Sequence, residues 1–292
     1  MVKRKEKCFR DYLSDAVNWI TLANGEFYPD ILPNACELYK PVLVLFGQYV
    51  RASESSPALF RRICEIRQAW MRIQLARVFR KYVCPSLSVE MLKKKSDVDI
   101  ICSRFNREFR PIQQVQEAFS SRPLPDEALC VLLWEYKDRG KKGYDLTERF
   151  FAMVHDQLPD YIIDGPIRSG RDIRMGSVWP DFSNPDRPAD FVIRKAGRVL
   201  AVGFARYDGD RGGAQEDDRT GGYRHCASEF LAYTRKRGLS GVKLIFLNDG
   251  PGLLLGSMWS DYSSLEDFGR GRIRVATLRM VSERITRDWL EG

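Results

Sequence analysis

The chain has 292 residues, of which 44% are hydrophobic and 29% are charged, enough apolar residues for one large domain or two ordinary ones. No apolar run approaches the roughly 20 residues that span a bilayer. The basic N-terminus, MVKRKEKCFRDYL, lacks the apolar region of a secretory signal. We therefore expect a soluble, cytoplasmic protein with no membrane partner.

The net charge of +8 favours a polyanionic partner, because lysine and arginine release counterions when they neutralise phosphates. Charge alone does not decide this, since many basic proteins bind no nucleic acid. The seven cysteines form no CxxC pair, and the chain has only two histidines, His155 and His225. These counts argue against a cysteine metal cluster and a histidine-rich metal site, and we expect the cysteines to be small buried thiols.

Residues 1–140 are predicted to form a helical N-terminal region. Apolar residues recur at helical spacing over residues 14–24, 57–83 and 125–139. The polar, glycine-containing segment Asp138–Gly143 then marks the best internal boundary.

The pattern changes over residues 141–292. Tyr144–Leu158 is predicted to be a helix with Leu146, Phe150, Val154 and Leu158 on its inner face, ended by Pro159. Short β-rich runs at 190–193 and 199–206 predict a hairpin, and a helix is expected at 222–237. Strands at 242–247 and 273–278 and a helix at 279–290 complete an α/β domain, a mixed β-sheet flanked by helices.

The stretch from Pro188 to Arg224, PADFVIRKAGRVLAVGFARYDGDRGGAQEDDRTGGYR, combines an acidic residue, a hairpin, a glycine-rich turn and a charged helix start. This stretch resembles the PD-(D/E)XK nuclease family, and more narrowly the type II restriction endonucleases. The upstream helix with Glu148, the loop GPIRSGRDI and the strand LIFLNDGPG also fit the family's order. The resemblance covers residues 140–292 and implies a restriction-endonuclease-like core.

The resemblance implies a role for each matching residue. Asp190 corresponds to the first metal-binding aspartate, and Asp181 in WPDF is a rival that lacks a following β-run. Glu148 corresponds to an outer carboxylate that contacts the metal through water; a solvated helix acid is the alternative. Gly203 stands where the family has its second acid, and Ala205 where it has lysine. Neither residue can perform those tasks.

Three explanations of this departure remain open besides a different site. The second carboxylate has moved to Glu216, or to the adjacent Asp217, near the start of the following helix. Arg206 replaces the lysine and stabilises charge, although strand alternation puts it opposite residues 203 and 205, so that a bulge is needed. Alternatively, Gly203 is an engineered or natural loss of glutamate, and the protein binds DNA without cutting it.

Two glycine-bearing segments, Gly165–Gly176 and Gly209–Gly222, carry residue types that contact DNA. Guanidinium groups on flexible backbone suit phosphate binding and guanine recognition, and glutamine suits adenine. Either segment is alternatively a solvated loop. The candidate DNA-binding residues are Arg168, Arg171 and Arg174 in the first segment, Arg211, Gln215 and Arg219 in the second, and Arg224 just after the second.

The expected function is Mg²⁺-dependent, sequence-specific cleavage of double-stranded DNA by a type II restriction endonuclease. The resemblance also implies a homodimer that acts on a symmetric site. The alternative is a non-catalytic, sequence-specific DNA-binding protein or inactive subunit with a nuclease-like fold. A basic scaffold without sequence preference is a third reading.

Overall fold

The computed structural model describes residues 7–137, 141–166, 172–209 and 215–292, without the side chains of 141–144 and 215–220. Contacts divide the chain into two compact units. Gly25–Arg139 forms the helical unit, and Met1–Asn24 with Gly140–Gly292 forms the sheet unit. The predicted boundary near residue 140 falls at this division, but residues 1–24 group with the sheet unit and not with the N-terminal region.

The N-terminal segment contains a 3-10 helix, Phe9–Asp15, and a short helix α1, Ala16–Trp19. Only part of the predicted 14–24 helix therefore forms. The Phe9 ring stacks on Trp259 with the ring centroids 4.4 Å apart, and the Phe9 N–H donates to Glu266 at 2.9 Å. These buried contacts explain why the segment belongs to the sheet unit.

The described part of the helical unit contains seven α-helices. They are α2 (Leu32–Arg51), α3 (Ser56–Glu65), α4 (Ala69–Tyr82), α5 (Val89–Leu92), α6 (Val98–Phe105), α7 (Ile112–Ser120) and α8 (Glu127–Trp134). The predicted continuous helix over 57–83 is wrong, because Ile66 adopts an extended ψ of 123° and separates α3 from α4. Arg72 stabilises this break by donating to the Ile66 carbonyl at 2.7 Å.

The sheet unit continues with helices and strands. They are α9 (Lys141–Gln157), β1 (Ile162–Asp164), β2 (Ile173–Arg174), α10 (Met175–Val178), β3 (Pro188–Ala189), β4 (Phe191–Lys195), β5 (Arg198–Tyr207), α11 (Gln215–Lys236), β6 (Lys243–Asp249), α12 (Met258–Phe268), β7 (Ile273–Ala276), α13 (Val281–Arg284) and α14 (Arg287–Glu291).

Five of these strands form one mixed sheet in the order β1-β4-β5-β6-β7. The pairs β1–β4 and β4–β5 are antiparallel, whereas β5–β6 and β6–β7 are parallel. The strands β2 and β3 form a separate two-stranded ribbon. The structure therefore confirms an α/β unit with a mixed sheet flanked by helices, and it confirms the predicted hairpin. Ala196 and Gly197 make the hairpin turn with φ values of 48° and 75°.

Helices cover the two faces of the sheet. Helix α9 covers one face, where Phe150 packs on Phe191 with a centroid separation of 4.8 Å. Helix α11 covers the other, where Tyr223 contacts Phe204 and Phe246. The four residues predicted to face inward from α9 are all buried, which confirms the amphipathic pattern; they are Leu146, Phe150, Val154 and Leu158.

Several elements differ from the prediction. The expected helix at 279–290 is interrupted at Ile285, and Thr286 caps α14 by accepting from the Trp289 N–H at 3.3 Å. Strand β1 and helices α2 and α12 were not expected. All seven cysteines are free thiols. Within the described residues, none of the helices combines the length and the apolar character that a bilayer span requires.

Candidate functional site

The register of the β4–β5 hairpin decides which side chains share a face. Phe191 pairs with Gly203 and Val192 with Val202, so the residue preceding Phe191 lies beside Phe204. Because successive side chains of a strand point to opposite faces, Asp190, Phe204 and Arg206 share the α11 face. Gly203 and Ala205 face α9 instead.

Gly203 is a packing position for an aromatic ring. A Cβ atom added at Gly203 would lie 1.9 Å from Cζ and 2.1 Å from Cε2 of Phe191. Phe191 is fully buried between the sheet and α9, where it also packs on Phe151 at 6.2 Å. The ring thus occupies the volume that any larger residue at 203 would need. This packing leaves no room for a glutamate side chain at position 203, and the position faces away from Asp190. Both observations argue against the hypothesis that Gly203 replaces a lost catalytic glutamate.

Asp190 lies at the start of β4 with its carboxylate against β5. Its Oδ2 accepts the Ala205 N–H at 2.7 Å, and its own N–H donates to the Gly203 carbonyl at 3.0 Å. Burial raises the pKa of Asp190, the Ala205 N–H opposes this shift, and the charge of Asp172 adds to it. Asp190 is therefore a half-buried carboxylate held in a defined position.

Asp172 is a second acid of this site that the sequence analysis did not identify. In the β2–β3 ribbon Ile173 pairs with Ala189, and continuing the register by one residue places Asp172 opposite Asp190. Two like charges directly opposite in a ladder destabilise each other, which agrees with the effect of Asp172 on the pKa of Asp190.

Arg206 extends the site along β5. Its Nε donates to Oδ1 of the buried Asp208 at 2.8 Å. Burial raises the pKa of Tyr223 on α11; Arg206 opposes the shift, while Asp190 and Asp208 add to it. These five residues therefore form one group on the α11 face, which we call the Asp190 cluster: Asp172, Asp190, Arg206, Asp208 and Tyr223. No bulge in β5 is needed, because Asp190 itself lies on the Arg206 face.

Asn248 adds a polar side chain beside the cluster. It pairs with Arg206 in the parallel β5–β6 ladder and is fully buried. Its side-chain nitrogen and oxygen have no hydrogen-bond partner among the described residues. Buried polar groups are normally satisfied, so this amide marks a polar position at the carboxyl end of β6. Ligands of α/β proteins bind at such strand ends.

Two other predicted carboxylates do not join the cluster. Glu148 lines a cavity of about 230 Å³ on the α9 side of the sheet, together with Tyr207 and Asp249. The sheet therefore separates Glu148 from Asp190, which corrects the expectation of a shared metal site. Asp181, the rival of Asp190, accepts from the Tyr233 hydroxyl at 2.6 Å and pairs with Arg237; it has a structural role.

Few of the predicted DNA contacts can be placed. Arg174 is exposed on β2 and pairs with Asp186 at 2.9 Å. Arg224 is exposed on α11, with its guanidinium 5.0 Å from the Phe268 ring centroid. Arg168, Arg171 and Arg211 lie outside the described residues. The backbone of Gln215, Glu216 and Arg219 lies in α11, but their side chains are outside the described ones.

The described side chains contain no group of three or more acids, histidines or cysteines that could hold a metal ion. The Asp190–Asp172 pair supplies two carboxylates. Mg²⁺ keeps several waters and commonly takes only one or two protein carboxylates besides substrate phosphates, so the two residues fit this ion.

Comparison with known proteins found no matching family model, curated protein or solved structure.

Proposed function

We propose that the sheet unit is a Mg²⁺-dependent nuclease of the PD-(D/E)XK type that cleaves double-stranded DNA at a specific sequence. The observation that carries the proposal is the common face of Asp190 and Arg206 on the β4–β5 hairpin. The order of α9, the hairpin, α11 and β6 supports it, because it follows the order that the motif implies.

In this proposal Asp190 and Asp172 hold Mg²⁺, which would polarise the scissile phosphate and lower the pKa of a bound water. Arg206 stabilises the negative charge that develops on the phosphate. Arg206 stays protonated and cannot accept a proton. The hydrogen bond to Asp208 keeps the guanidinium in place on the sheet. Glu216 at the start of α11 is the proposed third carboxylate. A homodimer would present two such sites to both strands of a symmetric sequence.

The test is cleavage of supercoiled plasmids by the full chain in Mg²⁺, in Mn²⁺ and in EDTA. We expect cleavage only with metal, and a loss of about 100-fold or more in Asp190→Asn and Arg206→Ala, the scale of losing one transition-state contact. Asp164→Asn is the matched control, because Asp164 is an exposed strand acid paired with Arg194 at 2.9 Å. Equal activity in Asp190→Asn and Asp164→Asn would refute the assignment.

A second candidate is a DNA-binding protein with a nuclease-like sheet and no catalysis. Phe204 favours it, because this buried aromatic residue occupies the β5 position beside Asp190, two residues before Arg206. Specific gel shifts without cleavage in Mg²⁺ or Mn²⁺ would support the second candidate over the first.

A further inference from the structure

Helices α11 and α12 enclose a second basic feature, away from the Asp190 cluster. The groove between them has a volume of about 930 Å³ and continues to the turn that leads into β7. Its charged lining residues are four arginines and one aspartate: Arg224, Arg235, Arg270, Arg272 and Asp267. We call this feature the arginine groove.

The positive charge of the groove is poorly neutralised. Asp267 pairs with Arg10 at 2.7 Å, so its charge is shared with a residue that does not line the groove. Arg224, Arg235 and Arg270 are exposed and form no ion pair with any described residue. Burial lowers the pKa of Arg272, and the charge of Arg235 lowers it further. Such mutual repulsion is relieved when an anion enters.

Arg272 also has unused hydrogen-bonding capacity. Its Nη2 donates to the Thr234 hydroxyl at 2.7 Å and to the Val242 carbonyl at 2.9 Å, which fixes the guanidinium. Its buried Nε has no partner among the described residues. The groove therefore contains one rigid guanidinium and three exposed ones.

The spacing of the arginines fits a row of anions better than a single phosphate. Arg235 follows Arg224 by eleven positions, which places both on one face of α11 about 16 Å apart at 1.5 Å per residue. Along a DNA duplex this distance covers about five phosphates of one strand, at 3.4 Å each. Ser228 also lines the groove and adds a hydroxyl group there.

Helix α11 contributes residues to both the groove and the candidate site. Tyr223 belongs to the Asp190 cluster, and the adjacent Arg224 opens the groove. From these observations we infer that the arginine groove binds the phosphate backbone of duplex DNA that extends beyond the Asp190 cluster. This inference relies on the proposed function for the identity of the polymer. Backbone contacts position a protein on DNA and carry no sequence information.

The test is fluorescence anisotropy of a labelled duplex in EDTA, which measures binding without cleavage. The groove variant is Arg235→Gln with Arg270→Asn; glutamine favours helix, and asparagine tolerates the left-handed conformation of Arg270, whose φ is 47°. The control variant, Arg149→Gln with Arg198→Gln, removes the same charge from exposed positions outside the groove. Melting temperatures of both variants should match that of the wild type.

We expect the groove variant to bind duplex about tenfold more weakly and to reduce the slope of log Kd against log salt by about two, at roughly 0.9 for each lost phosphate contact. The control variant should bind like the wild type. Equal losses in both double variants, an unchanged groove variant, or displacement of the duplex by polyglutamate of equal charge would each overturn the inference. Absence of cleavage by the wild type would refute the nuclease and leave this binding result intact.

Discussion

Replacing Gly203 with alanine should destabilise the sheet unit because the new methyl group would overlap the Phe191 ring. The added Cβ would lie 1.9 Å from Cζ of Phe191, so the ring would have to move by well over an ångström. It has little room to do so, since Phe150 lies 4.8 Å and Phe151 6.2 Å away between ring centroids. Overpacking of a core costs about 1–3 kcal/mol, and we expect the upper end, about 3 kcal/mol.

Thermal unfolding followed by circular dichroism provides the assay. A loss of about 3 kcal/mol corresponds to a fall in melting temperature of about 6–12 °C for a unit of this size. Gly241→Ala is the matched control, because no atom lies within 4 Å of the added Cβ. Phe191→Ala alone should cost about 3–5 kcal/mol. Combined with Gly203→Ala it should cost less than the sum, with a coupling of about 2 kcal/mol.

Gly203→Glu extends the same reasoning to activity. The longer side chain meets the same ring and faces α9, so this variant should be less stable than Gly203→Ala and should gain no nuclease activity. A Gly203→Glu protein that melts like the wild type and acquires Mg²⁺-dependent plasmid cleavage would refute the packing argument. It would show that residue 203 is a lost catalytic acid.

Three further predictions concern buried or paired carboxylates. Folding raises the pKa of Asp190. The contribution of this carboxyl group to the stability of the fold is therefore complete below its unfolded pKa of about 3.9, and it is lost as the pH rises through the pKa in the folded protein. In EDTA, Asp190→Asn should therefore melt above the wild type at neutral pH, with the gap closing toward acid; a gap independent of pH would contradict this. Asp172→Asn should lower the pKa of Asp190 in a carboxyl NMR titration, whereas Asp186→Asn, in the turn before β3, should leave it unchanged. Glu266→Gln should cost about 3–5 kcal/mol in urea unfolding, since it leaves the buried guanidinium of Arg284 without its carboxylate; a loss below about 1 kcal/mol would show that the pair contributes little.

Local patterns were sufficient to predict the elements of the sheet unit that have strong periodicity. Leu146, Phe150, Val154 and Leu158 repeat at four-residue spacing, and all are buried in α9. The hairpin was predictable because two β-rich runs flank a turn with a glycine at positive φ, Gly197. Short elements carry too few residues for such a signal, and β1 is only three residues long.

In the helical unit, helix boundaries were predicted wrongly from the sequence. Helix α2 was missed although it is 20 residues long, because Pro33 and Pro41 interrupt its sequence. The first proline occupies an N-terminal helical position, where its missing N–H is tolerated. At Ile66, by contrast, a continuous helix was predicted where the structure has two, α3 and α4. Helical spacing continues through the break in the sequence, and only the backbone conformation reveals it.

The site could be predicted only in part because motif spacing does not give strand register. Asp190 and Arg206 were identified from the motif, but their common face follows from the pairing of Phe191 with Gly203. Asp172 could not be found from the sequence, since it reaches Asp190 through a ribbon of two-residue strands. Asp208 and Asn248 follow the ends of β-rich runs. This position was the sequence feature that indicated that they could belong to a site.

The register also changes what the departure from the nuclease motif means. If Gly203 were the vacated acid position, a lesion would explain the sequence, and the core around it should contain a space. The Phe191 ring fills that space instead, so the glycine and the ring form one packing unit. The departure that matters chemically is Phe204, which stacks on Phe246 at 5.6 Å where a second carboxylate would face Asp190. Nuclease activity therefore requires acids from outside β5, and Asp172 and Glu216 are the residues from which we expect them.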